Sequence, residues 1–119
     1  MIWRHRGITA CLSAAEDWLR ADAAEANEDI EERRAKLHRA LEPIDKQLNA
    51  NPRNSDWADV QLLPNKRDWF IAYLEGEFDT WAVVYEIVVE ATETRFGRSD
   101  LRAILPLRSP EMQQVLFGD

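Results

Sequence analysis

A repeat of apolar and small residues between positions 19 and 44 constrains the fold of this chain more than any other feature. The residues recur in alternating steps of four and three, which places them on one side of a helix in a heptad-like register. Ser13 and Glu16 have the spacing of a capping box, and Pro43 is expected to end or kink the helix. We therefore predict one long helix over about 13–41 and a shorter piece to about 49. The repeat consists of Leu19, Ala23, Ala26, Ile30, Arg33, Leu37, Ala40 and Ile44.

Two turn-rich clusters, NANPRNSD around Pro52 and RFGRSD around Gly97, separate this stretch from two others. The middle stretch contains WAVVYEIVVEATET, whose β-branched residues favour a strand. Its periodicity favours a helix, because apolar side chains fall on one side and acidic side chains on the other. We predict helices there, with a strand over 77–96 as the open alternative. The apolar side holds Trp81, Val84, Tyr85, Val88 and Thr92, and the acidic side holds Asp79, Glu86, Glu90 and Glu93.

The remaining segments predict short helices. Ser55 or Asp56 can cap one helix that ends at Pro64, and Asn65 can cap the next. Near the end of the sequence, Ser99 can cap DLRAIL, and SPEMQQVLFG combines a serine cap, a first-turn proline and a final glycine. A chain of 119 residues fits one domain. The predicted fold class is all-α: a small single-domain helical bundle over residues 1–119, with a long N-terminal helix and short C-terminal helices.

The N-terminal segment and the cysteine content indicate a cytoplasmic protein. The basic start MIWRHRG is followed by only four residues, Gly7 to Ala10, before Cys11, whereas an export signal needs roughly 7–15 apolar residues. Cys11 is the only cysteine, so the chain forms no internal disulfide. The apolar run WAVVY is far shorter than a membrane span. We expect no contact with a membrane.

The segments EANE (25–28) and EPID (42–45) together resemble the E-x-x-E and E-x-x-D pattern of the all-helical MazG-like nucleotide pyrophosphohydrolases. The resemblance implies that Glu25, Glu28, Glu42 and Asp45 hold magnesium, and it requires a turn between residues 29 and 41. A continuous helix would instead separate Glu28 from Glu42 by about 21 Å. This hydrolase is an alternative interpretation. The chain has no glycine-rich phosphate loop, no G-x-S-x-G sequence and no paired cysteines, so the preferred interpretation is a non-enzyme without metal or cofactor.

The charges are segregated along the chain. Residues 16–32 hold eight acids against Arg20, residues 75–93 hold six acids and no base, and residues 94–110 hold four arginines against Asp100. The overall charge of −7 makes direct binding of DNA or RNA unfavourable, because phosphate contacts need a basic surface. Acidic helices suit a basic groove on another protein, including a groove that normally holds nucleic acid.

We therefore predict a non-enzymatic protein that binds and inhibits or regulates a larger protein with a basic surface. Small acidic proteins of this kind suit phage or plasmid inhibitors of host defence, immunity proteins and antitoxins, by analogy of class. A homo-oligomeric structural or adaptor protein is the second alternative, and a homodimer is compatible with both interpretations. Trp57 beside a polar loop and Trp3 near a basic terminus are added as aromatic contacts. The predicted partner-binding residues are Glu25, Glu28, Asp29, Glu31, Glu32, Glu86, Glu90, Glu93, Trp57 and Trp3.

Overall fold

The computed structural model describes residues 1–53, 59–64 and 66–118 of the chain. It contains five strands and four α-helices in these segments, so the predicted all-α helical bundle is wrong and the fold is mixed α/β. A short 3-10 turn, Gly76–Phe78, precedes the fourth strand. The elements in chain order are β1 (Trp3–Arg6), α1 (Ile8–Ala14), α2 (Glu16–Glu25), α3 (Ile30–Ala50), β2 (Asp59–Leu62), β3 (Trp69–Tyr73), β4 (Trp81–Val89), β5 (Gly97–Pro106) and α4 (Pro110–Phe117).

The five strands form one sheet in the order β1-β5-β4-β3-β2. Strands β2 to β5 follow one another as an antiparallel meander, whereas β1 lies parallel to β5 at the sheet edge. The first strand and the last strand of the chain are therefore neighbours, and the three helices α1 to α3 form the connection between β1 and the meander.

The register assigns the side chains of the sheet to two faces, because successive residues of a strand point to opposite sides. Trp3, Ser99 and Tyr85 share the face that packs against α2 and α3. Arg4, Arg98 and Glu86 belong to the opposite face, which α4 covers only in part. The helices contribute an apolar layer to the first of these faces: Leu19, Leu37, Leu41, Ile44 and Leu48.

The predicted helix over WAVVYEIVVEATET is wrong, and the open alternative, a strand, is observed as β4. All five residues from Trp81 to Tyr85 are buried, because β4 is a central strand covered on both faces. Such a strand shows a continuous apolar run in place of an alternation. The apolar residues of this run also match the period of a helix, which explains the wrong prediction. Its β-branched content was the better signal.

The predicted continuous helix over 13–41 is also wrong, because it is divided between α2 and α3. The chain turns at Asn27, which has a φ of 56°, and Asp29 precedes the first residue of α3. Pro43 does not end the second helix, which continues to Ala50. Pro43 is exposed, so the carbonyl group that its ring leaves without a donor can be hydrated. Most of the predicted repeat nevertheless faces the core.

The two predicted C-terminal helices have different outcomes. DLRAIL belongs to β5, so the predicted helix capped by Ser99 is wrong. The final helix is confirmed as α4: the Ser109 hydroxyl accepts a hydrogen bond from the Met112 amide, and Pro110 occupies the first turn. The predicted helices before Pro64 and after Asn65 are wrong, because the described parts of these segments form strands β2 and β3. The caps at Ser55, Asp56 and Asn65 lie outside the described residues. Within the described segments, no helix is long and apolar enough to cross a membrane.

Candidate binding surfaces

The first group of predicted contact acids lies at the turn between α2 and α3. Glu25 is the last residue of α2, Glu28 and Asp29 form the connection, and Glu31 and Glu32 occupy the first turn of α3. Within the described residues, Glu28 and Glu31 have basic partners, whereas the other three acids are exposed and form no salt bridge. We call these three residues, Glu25, Asp29 and Glu32, the acidic turn.

Arg33 lies beneath the acidic turn and is only 5% exposed. Its guanidinium donates to Asp22 Oδ2 at 2.7 Å and to Glu28 Oε1 at 3.2 Å, and it lies 4.5 Å from the centre of the Phe78 ring. Burial opposes the charge, but the hydrogen bond and the charge of Asp22 outweigh it and raise the pKa of Arg33. Arg33 therefore neutralises the inner acids of the turn and ties both helices to the 3-10 turn before β4.

Glu28 is part of this internal network and is not a free contact residue. Lys36 Nζ donates to Glu28 Oε1 at 2.9 Å, and this hydrogen bond is the main reason why the pKa of Glu28 is lowered. Glu31 accepts from Arg34 on the next turn of α3. The five acids therefore differ in role, and only the acidic turn has charges without a basic partner in this part of the chain.

The second group of predicted acids lies at the other end of the sheet. Glu86 is on β4 and accepts from Arg102, Glu90 follows β4 and accepts from Arg53, and Glu93 is exposed in the turn before β5. Arg33, beneath the acidic turn, contacts Glu77 before β4, whereas Glu90 follows β4, so about 30 Å of extended strand lies between Glu77 and Glu90. Glu90 and Glu93 therefore lie far from the acidic turn.

The two predicted aromatic contacts have separate outcomes. Trp3 is 7% exposed and belongs to the core, where its ring packs so closely against Gly97 that an added Cβ would lie 2.4 Å from it. The predicted contact rested on the position of Trp3 near a basic terminus, whereas Trp3 belongs to strand β1. Trp57 lies outside the described residues.

The four acids of the hydrolase alternative do not converge. Helix α3 runs without interruption from Ile30 to Ala50, so the required turn before Glu42 is absent. Glu28 is bound to Arg33 and Lys36, and Asp45 Oδ1 lies 2.6 Å from Nε2 of His5. Among the described residues, no group of three or more histidine, cysteine, aspartate or glutamate side chains is arranged to hold a metal ion.

A basic surface that the sequence reading did not identify lies on the half of the sheet that α4 leaves open. The register places Arg4, Arg6 and Arg98 on this face, and Arg102 on β5 joins them because it donates to Glu86 of the same face. We call these four residues the arginine platform. Arg6 Nε and Arg98 Nε donate to Asp100 Oδ1 at 2.9 and 3.1 Å. Burial alone would raise the pKa of Asp100, but these arginines outweigh it and lower the pKa.

Aromatic rings flank the arginine platform. Arg4 lies 4.5 Å from the centre of the Phe96 ring, which is 50% exposed, and Arg102 lies 5.5 Å from the Trp69 ring. Arg102 also donates to Glu86. Arginines that alternate with other residues, as in WRHR and RSDLR, share one face of a strand, so a strand interpretation would have revealed the platform. None of the protein-family models, curated proteins or solved structures compared with the chain matches it.

Proposed function

We propose that this is a non-catalytic protein that binds a larger protein with a basic surface and inhibits or regulates it. The observation that supports this proposal is the buried Arg33, which pairs with the inner acids Asp22 and Glu28, while the outer acids Glu25, Asp29 and Glu32 are exposed to solvent. The acidic turn therefore presents negative charge on a fixed backbone. Preorganised charge is valuable in a contact because less conformational entropy is lost on binding.

The chemistry of the acidic turn fits a basic partner. Glu25, Asp29 and Glu32 carry three negative charges that no described basic residue neutralises, and the net charge of −7 adds a long-range attraction to cationic surfaces. Such complementarity mainly raises the association rate and selects among partners. Inhibitors of host defence, immunity proteins and antitoxins are the classes that this arrangement suits, and occupation of a groove that otherwise holds nucleic acid is one form of the inhibition.

The test is an affinity capture from the native or host cell lysate at about 100 mM salt, where surface charges still act over about 10 Å. The three residues of the acidic turn are changed to lysine together, and the captured proteins are identified by mass spectrometry. The matched control changes three other exposed acids, Asp17, Glu42 and Glu75, to lysine. Both variants have the same net charge, so the comparison separates the position of the acids from their number.

We expect one basic protein to be captured in a stoichiometric amount by the wild-type chain and by the control variant, and to be released by raising the salt. The variant of the acidic turn should lose it. Equal capture by both variants would contradict the assignment of the surface, and capture of no protein by the wild-type chain would contradict the proposed function.

A further inference from the structure

We propose that strand β1 and the arginine platform bind an acidic, extended protein segment, which adds to the sheet as a sixth strand. This site is separate from the acidic turn and has the opposite charge, so the inference does not rest on the proposed function. It depends on three features of the described residues: the free edge of β1, the spacing of its arginines, and the excess of positive charge on the open face.

The outer edge of β1 is available for main-chain hydrogen bonds. The Gly97 amide donates to the Ile2 carbonyl at 2.8 Å, so the backbone groups of Ile2, Arg4 and Arg6 point towards β5. The backbone groups of the alternate residues, Trp3 and His5, point away from the sheet. No backbone hydrogen bond within the described part of the chain uses them. They are the donors and acceptors that an added strand needs.

The arginine platform supplies side-chain recognition beside this edge. Arg4 and Arg6 are separated by one residue, which places them on the same face about 7 Å apart along the strand. Acidic residues at alternate positions of an added strand have the same separation and can lie opposite them. Arg98 and Arg102 on the neighbouring strand extend the positive charge across the face.

The charge of this face is not fully neutralised by its own acids. Four arginines face two carboxylates, Asp100 and Glu86, which gives a surplus of two positive charges in a chain of net charge −7. Arg4 forms no salt bridge with any described carboxylate, and its guanidinium lies 4.5 Å from the centre of the Phe96 ring. The side chain of Arg6 is 64% exposed although it is paired with Asp100. Both arginines can therefore donate further hydrogen bonds to a carboxylate.

An acidic peptide fits this surface better than a nucleic acid does. Asp100 and Glu86 lie within the face itself, and a long polyphosphate that crossed the platform would meet them and the acids elsewhere on the surface. The directional backbone groups at the edge of β1 match another strand, whereas a sugar-phosphate backbone has no repeating amide donors to pair with them. We therefore assign the ligand as a short, acidic peptide segment.

The probe is a fluorescently labelled peptide of about eight residues that alternates glutamate with valine, a length typical of a strand. Binding is measured by fluorescence anisotropy at low and high salt. We expect Arg4→Glu to weaken binding by about tenfold, because it replaces one charge-assisted contact by a repulsion. Arg39→Glu is the matched control, since Arg39 is exposed on α3 and changes the net charge equally. Arg6→Gln, which adds no repulsion next to Asp100, should also weaken binding.

Two further measurements identify the mode of binding. The His5 amide should exchange with solvent more slowly when the peptide is present, as followed by NMR, and a peptide with methylated amides at alternate positions should bind at least tenfold more weakly at equal charge. Equal losses for Arg4→Glu and Arg39→Glu would overturn the site. Tighter binding of a labelled single-stranded oligonucleotide through Arg4 would overturn the peptide assignment. Aggregation of Arg4→Glu without any peptide binding by the wild-type chain would show that the arginines only protect the edge.

Discussion

Arg33 and Asp22 form a hydrogen-bonded ion pair that is almost completely removed from solvent. The Nε–Oδ2 distance is 2.7 Å, and the side chains are 6% and 14% exposed. The pair links α2 to α3, and the same guanidinium reaches the Glu77 carbonyl oxygen at 3.4 Å. Arg33 is the one charged residue of the apolar repeat, and its position faces Asp22 on α2 and Glu28 in the connection.

We predict that Arg33→Ala destabilises the protein by about 3 kcal/mol, because it leaves Asp22 buried without its partner. Arg33→Lys should be intermediate, since one ammonium group cannot reproduce the contacts of a planar guanidinium. Urea unfolding followed by circular dichroism measures both changes. Arg39→Ala, on the exposed side of the same helix, is the control. A cost for Arg33→Ala no larger than that of the control would mean that the pair does not hold the turn.

The amino-acid pattern identified the core side of the helices better than their boundaries. Leu19, Leu37 and Ile44 are buried as the repeat requires, although the helix is interrupted between them. At the interruption, Arg33 contacts Asp22, Glu28 and the carbonyl oxygen of Glu77, which lies 44 positions further along the sequence. The secondary-structure preferences of neighbouring residues do not predict such a contact.

The sheet was missed for a related reason. A central strand loses its alternation when both faces are buried, and β1 pairs with β5 across more than ninety positions of the sequence. The arginine platform arises only from that pairing, because Arg4 and Arg98 have no relationship in the linear sequence. The final helix was predictable because its serine cap and first-turn proline are local signals.

Because of Asp100, the stability of the folded protein should depend on pH in the acidic range. Its pKa is lowered in the folded state, so the folded protein binds fewer protons than the unfolded chain near that pKa. The stabilisation is complete above the unfolded pKa of about 4 and is lost as the pH falls through the folded pKa. We predict that Asp100→Asn is less stable than the wild-type protein at pH 7, and that the difference shrinks on acidification. Urea unfolding between about pH 7 and 3 tests this, and a constant difference would contradict it.

Because of Tyr85, the stability of the folded protein should depend on pH in the alkaline range. Its hydroxyl is buried and donates to the Pro52 carbonyl, and burial strongly raises its pKa despite the nearby Arg53. The folded state therefore keeps the proton, and the stabilisation is present below the unfolded pKa of about 10 and is lost as the pH rises above it. We expect Tyr85→Phe to cost about 1 kcal/mol at pH 7 through the unpaired carbonyl, and less as the pH rises above 10. Tyr73→Phe, which alters a less buried tyrosine, is the control.

Gly97 permits the close contact between β1 and β5. An added Cβ would lie 2.4 Å from the Trp3 ring and 2.8 Å from the Ala91 Cβ, and neither neighbour is the flexible end of a side chain. We predict that Gly97→Ala costs about 2 kcal/mol through overpacking. Trp3→Leu in the same chain should recover part of this loss, because it removes the ring that the new methyl group meets. A double-mutant cycle by urea unfolding measures the coupling, and strictly additive effects would mean that the clash with Trp3 does not determine the cost. Gly76→Ala is a useful comparison, because its Cβ meets no atom within 4 Å and its cost would come only from the positive φ of 71°.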